Sequence, residues 1–245
     1  MKLENRNIVV TGASRGIGAA IVRELLKHKV GKVYATARDV KTIPDFGDKR
    51  VVPLALEITD SKQVLAAAEK AKDAHVLINN AGVATVASLI DSPAESISAD
   101  MKTNYFGTLS VIRAFVPVLQ KNGHGLIANV NSVVSLASMA MLGGYSASKA
   151  ALHSATQATR TELAERGIHV VGIYPGPIDT DMTSKMDIPG KASAQATAQA
   201  IVAGLLADDE YIFPDPMSQQ VGPVWQRDPV GLERQFSAPP SEKAA

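Results

Sequence analysis

Hydrophobic positions along the chain follow two alternating patterns. Short runs are apolar on successive residues: NIVVTG (7–12), KVYATA (32–37), RVVPLAL (50–56), HVLINN (75–80), GLIANVNS (125–132) and HVVGIYP (169–175). Between most of them lie longer segments whose apolar residues recur every three or four positions: GAAIVRELLKH, DSKQVLAAAEKA, TNYFGTLSVIRAFVPVLQK and YSASKAALHSATQATRTELAER. Runs apolar on both faces predict strands covered on both sides, and the 3.6-residue period predicts helices between them. The alternation predicts an α/β fold with a doubly wound parallel sheet and right-handed crossovers.

Local signals refine this layout. The link 38–49, with Pro44 and Gly47, has room for no more than a short helix. At Ser92 a helix is predicted to begin with Pro93 at its first position and Glu95 completing a capping box. After residue 175 come the loop PGPIDTDMTSKMDIPGK, a helix from about Ser193 to Ala207, and a last short strand near YIF. From about residue 214 the chain is rich in proline. An irregular cap is expected there, with Trp225 as an anchor or subunit contact, and a frayed tail over 238–245. Residues 1–237 read as one catalytic domain.

Composition narrows the function. The 245 residues are 46% hydrophobic, enough for a full core. With 25 basic and 24 acidic residues, and no block of like charge, there is no electrostatic footprint for nucleic acid. No cysteine is present, which removes disulfides, thiolate nucleophiles and Cys-ligated zinc, and suits a reducing cytoplasm. The five histidines show no metal-ligand spacing, so no metal is expected. The start MKLENRNIVV is too polar for a signal peptide, and no apolar run is long enough to span a membrane.

The first strand runs through TGASRGIG (11–18) straight into a helix. Read as G-x-S-x-G, the loop would make Ser14 a hydrolase nucleophile, but that leaves Gly18 unexplained and needs a partner histidine. Read as Gly12, Gly16 and Gly18, it is a turn whose bare backbone and helix N-terminus cradle a pyrophosphate. In GGYSASKAAL, Tyr145 and Lys149 stand four residues apart, on one helix face. Chance supplies such a pair too often for the spacing alone to decide.

Together, TGASRGIG, NNAG (79–82), NYFG (104–107), Ser132 thirteen residues before Tyr145, YSASK and PGPIDT (175–180) stand in the order and spacing of the short-chain dehydrogenase/reductase family, which the chain resembles from about residue 5 to 213. The resemblance implies a Rossmann-type fold of about seven parallel strands, a nicotinamide cofactor, and a homo-oligomer, dimer or tetramer. It assigns proton transfer to Tyr145, tuning and the nicotinamide ribose to Lys149, the substrate oxygen to Ser132, and a relay water to Asn104. Cofactor contacts are implied for Gly12, Ser14, Arg15, Gly16, Ile17, Gly18, Arg38, Glu57, Ile58, Asn80, Ala81, Gly82, Tyr145, Lys149, Pro175, Gly176, Ile178 and Thr180. Two departures stand out: Glu57 replaces the family's usual adenine-contacting aspartate, and Asn131 replaces the serine before Ser132.

The chemistry gives Lys149 a task. Hydride transfer to a carbonyl builds negative charge on oxygen, and a proton must arrive there. An ammonium about 4 Å from the phenol, at an effective dielectric of 20, would favour the phenolate by about 4 kcal/mol, roughly three pH units. At the end of the second strand, ATARD has Ala37 where a carboxylate would select NAD(H). Arg38 and Arg15 can converge on a 2′-phosphate, so NADP(H) is favoured over NAD(H), although Asp39 could serve NAD(H) after a one-residue slip. Small and apolar residues, Val83, Leu136, Met139, Leu142, Met182 and Met186, predict a permissive pocket for an apolar ketone, aldehyde or alcohol. A nicotinamide-binding redox sensor without turnover is the alternative in another class, followed by the Ser14 hydrolase.

Overall fold

The structure is a computed structural model that describes residues 3–184 and 186–237. Seven strands form one parallel sheet: β1 (Ile8–Val10), β2 (Val33–Ala37), β3 (Val51–Ala55), β4 (Val76–Asn79), β5 (Gly125–Val130), β6 (Ile168–Ile173) and β9 (Tyr211–Ile212), in the order 3-2-1-4-5-6-9. Between β6 and β9 a separate two-stranded pair, β7 (Ile178–Asp179) and β8 (Ala192–Ser193), shapes the loop after residue 175. The main sheet reverses its winding between β1 and β4, and ligands of such sheets bind in the crevice beyond the strand ends at that point.

Both faces of the sheet are covered, as the apolar runs require. Ile8 and Val10 face α1 (Gly16–Leu25) and α6 (Ala194–Ala207), whereas Val9 faces α2 (Ser61–Lys70) and α4 (Thr108–Asn122). The same face holds α5 (Gly143–Ala164), through Leu163. All six long strand runs and the helices between them lie where the hydrophobic pattern predicts them. The 38–49 link carries only a 3-10 turn at Val40–Thr42.

Three local expectations are corrected. The helix near residue 92 is α3 (Ala94–Asp100), with Pro93 at its N-cap and no side-chain cap, so Ser92 and Glu95 form no capping box. The Ser88 hydroxyl instead accepts from the N–H groups of Ile90 and Asp91, and so closes the chain into a turn before the helix. Between α3 and α4 the helix does not keep one period, because Met101–Gly107 is π-helical. Gly107 allows this segment to press on Ile58, whose Cγ1 would lie 2.9 Å from an added Cβ.

The third correction is the C-terminal cap, which is regular. It consists of α7 (Pro216–Arg227) and α8 (Pro229–Ser237). Pro216 occupies the first turn of α7, where no amide N–H is needed, and Asp215 and Ser218 cap it reciprocally. Trp225 does anchor this cap, edge-on to His153 and tilted against Tyr211. The expected tail at 238–245 lies outside the described residues.

Candidate active site

The glycine loop closes the C-terminal end of β1. Gly12 and Gly16 take left-handed backbone conformations, φ +66° and +56°, which other residues adopt at a cost. Gly18 lies so close to Gly12 O and Asn80 Nδ2 that no side chain fits there. Arg15 stands at the N-cap of α1 without a side-chain cap, whereas Asp60, Ser193 and Asp215 cap α2, α6 and α7. An uncapped helix start behind two left-handed glycines leaves N–H groups facing outward, and this fits a pyrophosphate.

Thr11 and Asn80 hold that loop in shape. The Thr11 hydroxyl accepts from the N–H groups of Asn80 (2.9 Å) and Ala81 (3.0 Å). Asn80 Nδ2 donates to Thr11 O and Gly12 O at 2.9 and 3.1 Å, so its side chain braces the loop rather than facing the crevice. Two other expected cofactor contacts are also used internally. The Glu57 carboxylate turns back to accept from the Thr59 N–H and hydroxyl, and the Ile58 side chain is core. At the end of β2, Ala37 is buried, Arg38 is exposed, and the Asp39 carboxylate caps the 3-10 turn by accepting from Lys41 N–H. Arg15 pairs with Asp181 at 3.2 Å, both largely exposed. Ser14 and Ile17 lie half-buried along the loop.

Ser132, Tyr145 and Lys149 meet at the end of β5. Ser132 leaves the strand in an extended conformation, donates to Pro175 O (3.3 Å) and lies within reach of the Tyr145 phenol. The preceding Asn131 donates its side-chain amide to Asn129 O. The glycine pair before Tyr145 lets α5 enter closely: a Cβ on Gly143 would strike Leu89, and one on Gly144 would crowd Ile97. Lys149 is 4% exposed, and its Nζ donates to Val130 O at 2.7 Å. That bond draws the ammonium to the strand, 5.8 Å from the Tyr145 ring centre.

This arrangement reverses the expected effect on the phenol. Burial pushes Tyr145 up to about 12, eased by Ser132 and reinforced by the negative charge of Asp100. The ring is half-buried by exposure, so water reaching it offsets part of that rise. Burial lowers Lys149 to about 8 against the pull of Asp100. Asn104, inside the π-helical segment, donates to Val83 O and Ser148 Oγ and accepts from Val83 N–H, so its side chain ties the turn after Gly82 to the helices. An added Cβ on Gly82 would sit 3.6 Å from Lys149 Nζ.

The remaining residues form a wall. Pro175 O receives the Val133 N–H as well as Ser132, Gly176 N–H donates to the buried Asp215 carboxylate at 2.7 Å, and Ile178 is buried. Thr180 approaches Gly16 across the crevice. Leu136, Met139 and Tyr145 pack against a cluster of Val133, Val134, Ala137, Val221 and Leu232, on which Val224, Trp225 and Phe236 of the C-terminal helices also pack. Leu142 is half-buried and Val83 37% exposed, and on the loop after β7 Met182 is exposed and Met186 half-buried. Sequence reasoning missed Thr11, Asp100, Asp215 and the wall from α7 and α8. For Asp215 a signal existed, the D-P-x-S pattern of a capped helix start.

An α/β sheet with a bare helix start at its winding reversal, and a tyrosine, lysine and serine beside it, defines a dinucleotide-binding oxidoreductase fold. The family model described as short chain dehydrogenase matches residues 6–189, and the chain belongs to that family. An uncharacterized oxidoreductase of Staphylococcus saprophyticus is 34% identical over 198 residues, covering 76% of this chain and 84% of that protein. The 3-oxoacyl-(acyl-carrier-protein) reductase FabG of Vibrio cholerae is 33% identical over 219 residues, covering 86% and 88%. A short chain dehydrogenase of Burkholderia cenocepacia, solved in complex with NADP, superposes with a TM-score of 0.91 at 36% identity, covering 98% of this chain and 100% of that one. Among the described residues no helix is long and apolar enough to cross a membrane.

Proposed function

We propose that the protein reduces a carbonyl, or oxidises the corresponding secondary alcohol, of a small to medium, mainly apolar substrate with NADP(H). One observation carries the reading: Ser132, Tyr145 and Lys149 converge at the end of β5, with Lys149 Nζ beside Gly82. The cofactor, when bound, supplies or accepts the hydride. Tyr145, neutral because burial holds its proton, donates to the substrate oxygen during reduction. Ser132 hydrogen-bonds that oxygen as charge develops on it. The Lys149 ammonium supplies positive charge and a donor for the ribose, and Asn104 braces the turn beside it.

Preference for NADP(H) over NAD(H) is supported by the buried Ala37 at the strand end and by Asp39, whose carboxylate is occupied at the Lys41 N–H. Arg38 is exposed there and Arg15 lies on the loop, and the Burkholderia cenocepacia neighbour is an NADP complex. The apolar character of Leu136, Met139 and Leu142 supports an apolar substrate. By resemblance the protein is a homo-oligomer, dimer or tetramer, which sedimentation would resolve, and a chain without cysteine suits a reducing cytoplasm.

The test is NADPH consumption over a panel of ketones and aldehydes, with Tyr145→Phe alongside. Loss of rate on the order of 10²–10⁴-fold is expected. Unchanged turnover in that variant refutes the assignment. Tight cofactor binding without turnover on any substrate supports the redox-sensor alternative.

A further inference from the structure

Asp100 is fully buried at the C-terminal end of α3, yet none of the roles above uses it. Its carboxylate accepts from the Thr85 hydroxyl at 3.0 Å and from the Thr85 N–H at 3.3 Å. Four residues on, Asn104 grips both the N–H and the C=O of Val83. The two side chains thus pin alternate residues of one stretch, directly after Gly82 beside Lys149 Nζ.

A neutral amide would serve for pinning alone. Burying a carboxylate costs several kcal/mol unless a cation answers it, and Thr85 brings no charge. Burial pushes the Asp100 carboxyl above its usual range, and the Thr85 hydrogen bonds and then the Lys149 ammonium, from α5, pull it back down. Lys149 is itself almost completely buried and, among the described residues, is bonded to the neutral Val130 carbonyl. Asp100 in turn acts on Lys149 and, with Ser132, on Tyr145. Glu95, the other acid on α3, is exposed.

We propose that Asp100 is a positioning residue of this site, the fixed counter-charge of the Lys149 ammonium and the clamp that holds the Gly82–Thr85 turn against it. The inference rests on the roles given above to Tyr145 and Lys149. An anion nearby favours the ammonium and disfavours the phenolate. Replacing it with the neutral Asn therefore lets Lys149 and Tyr145 lose their protons at lower pH. Reduction needs both protons, so its alkaline limb should move toward acid in Asp100→Asn, by on the order of one pH unit. A residue that only braced the turn would, when changed, lower the rate equally at every pH.

The experiment records kcat against pH for ketone reduction by the wild type and Asp100→Asn, and follows the Lys149 Cε signal by NMR in both proteins without substrate. An acid shift of the limb and of the Lys149 titration supports the proposal, and an unmoved Lys149 titration overturns it. If Asp100→Asn does not fold, the wild type decides. The Asp100 carboxyl carbon must then show a second step at the pH where Lys149 titrates, and a single step overturns the proposal. Turnover surviving in Tyr145→Phe would refute the reductase roles alone, since the Lys149 titration reports on Asp100 without any turnover.

Discussion

Lys149 sits in an environment that favours chemistry over stability. Its ordinary value of 10.5 falls to about 8 on burial. Below about pH 8 the folded state therefore carries a desolvated charge, and between about 8 and 10.5 the unfolded chain binds more protons, so stability rises with pH across that window. The full penalty near neutrality is about 3 kcal/mol at most. Lys149→Met should abolish turnover and, by removing the titrating group, flatten the rise in stability between about pH 8 and 10.5 in denaturant titrations. Any gain from deleting a buried ammonium is offset by the buried Asp100 carboxylate left without its counter-charge. Gly12→Ala acts through the backbone instead. Its left-handed backbone and a new Cβ 2.9 Å from Ala81 Cα should cost about 1–3 kcal/mol and weaken cofactor binding, read by fluorescence titration. The reactive trio was legible because residue types and spacing travel together in sequence. Asp100 and Thr11 were not, since an acid on an amphipathic helix, or a threonine ending a strand, looks like an ordinary surface or strand residue until its neighbours are known.

Among the elements, α7 depends on a single residue that also serves the site. Asp215 caps the helix through Ser218 N–H at 3.0 Å and holds Gly176 N–H at 2.7 Å, while itself buried. Asp215→Ala should therefore lower stability by about 2–3 kcal/mol, a lost cap together with an unpaired buried amide, and raise the KM for cofactor. Asp215→Asn, which keeps an acceptor, should lose less of both. Sequence reading treated this region as irregular because proline usually ends helices. It missed that Pro216 stands where no N–H is required, although Pro223 does interrupt the interior of α7. The π-helical stretch around Asn104 was equally hidden, since one apolar stripe runs through TNYFGTLSVIRAF whether or not a residue is inserted. The strands of the main sheet, by contrast, were legible, because a sheet buried on both faces writes apolar residues along its strands, whereas the two-residue β7 and β8 border a stretch that reads as a loop.

At the scale of the molecule, cofactor crevice and substrate wall are built from different parts of the chain. The glycine loop belongs to the first βα unit, whereas Leu136, Met139 and Tyr145 pack on a cluster that includes Val221 and Leu232 of the far C-terminal helices. Ending the chain after Asp228 should thus raise the KM for apolar ketones several-fold while leaving NADPH affinity nearly unchanged, and steady-state kinetics with calorimetry would separate the two.

The junction of β4, β5 and α5 carries a consequence for folding as well. Asn79 and Asn129 stand opposite each other in register and are bonded at 2.9 Å, and Asn129 reaches Thr156 at 3.0 Å. Sliding either strand by a single residue would strand these buried amides without partners, at about 1–3 kcal/mol each. Misaligned sheets are thereby penalised. The alignment that survives delivers the hydroxyl of Ser132 and the phenol of Tyr145 to one another, so a ladder of uncharged amides proofreads the assembly of the catalytic centre.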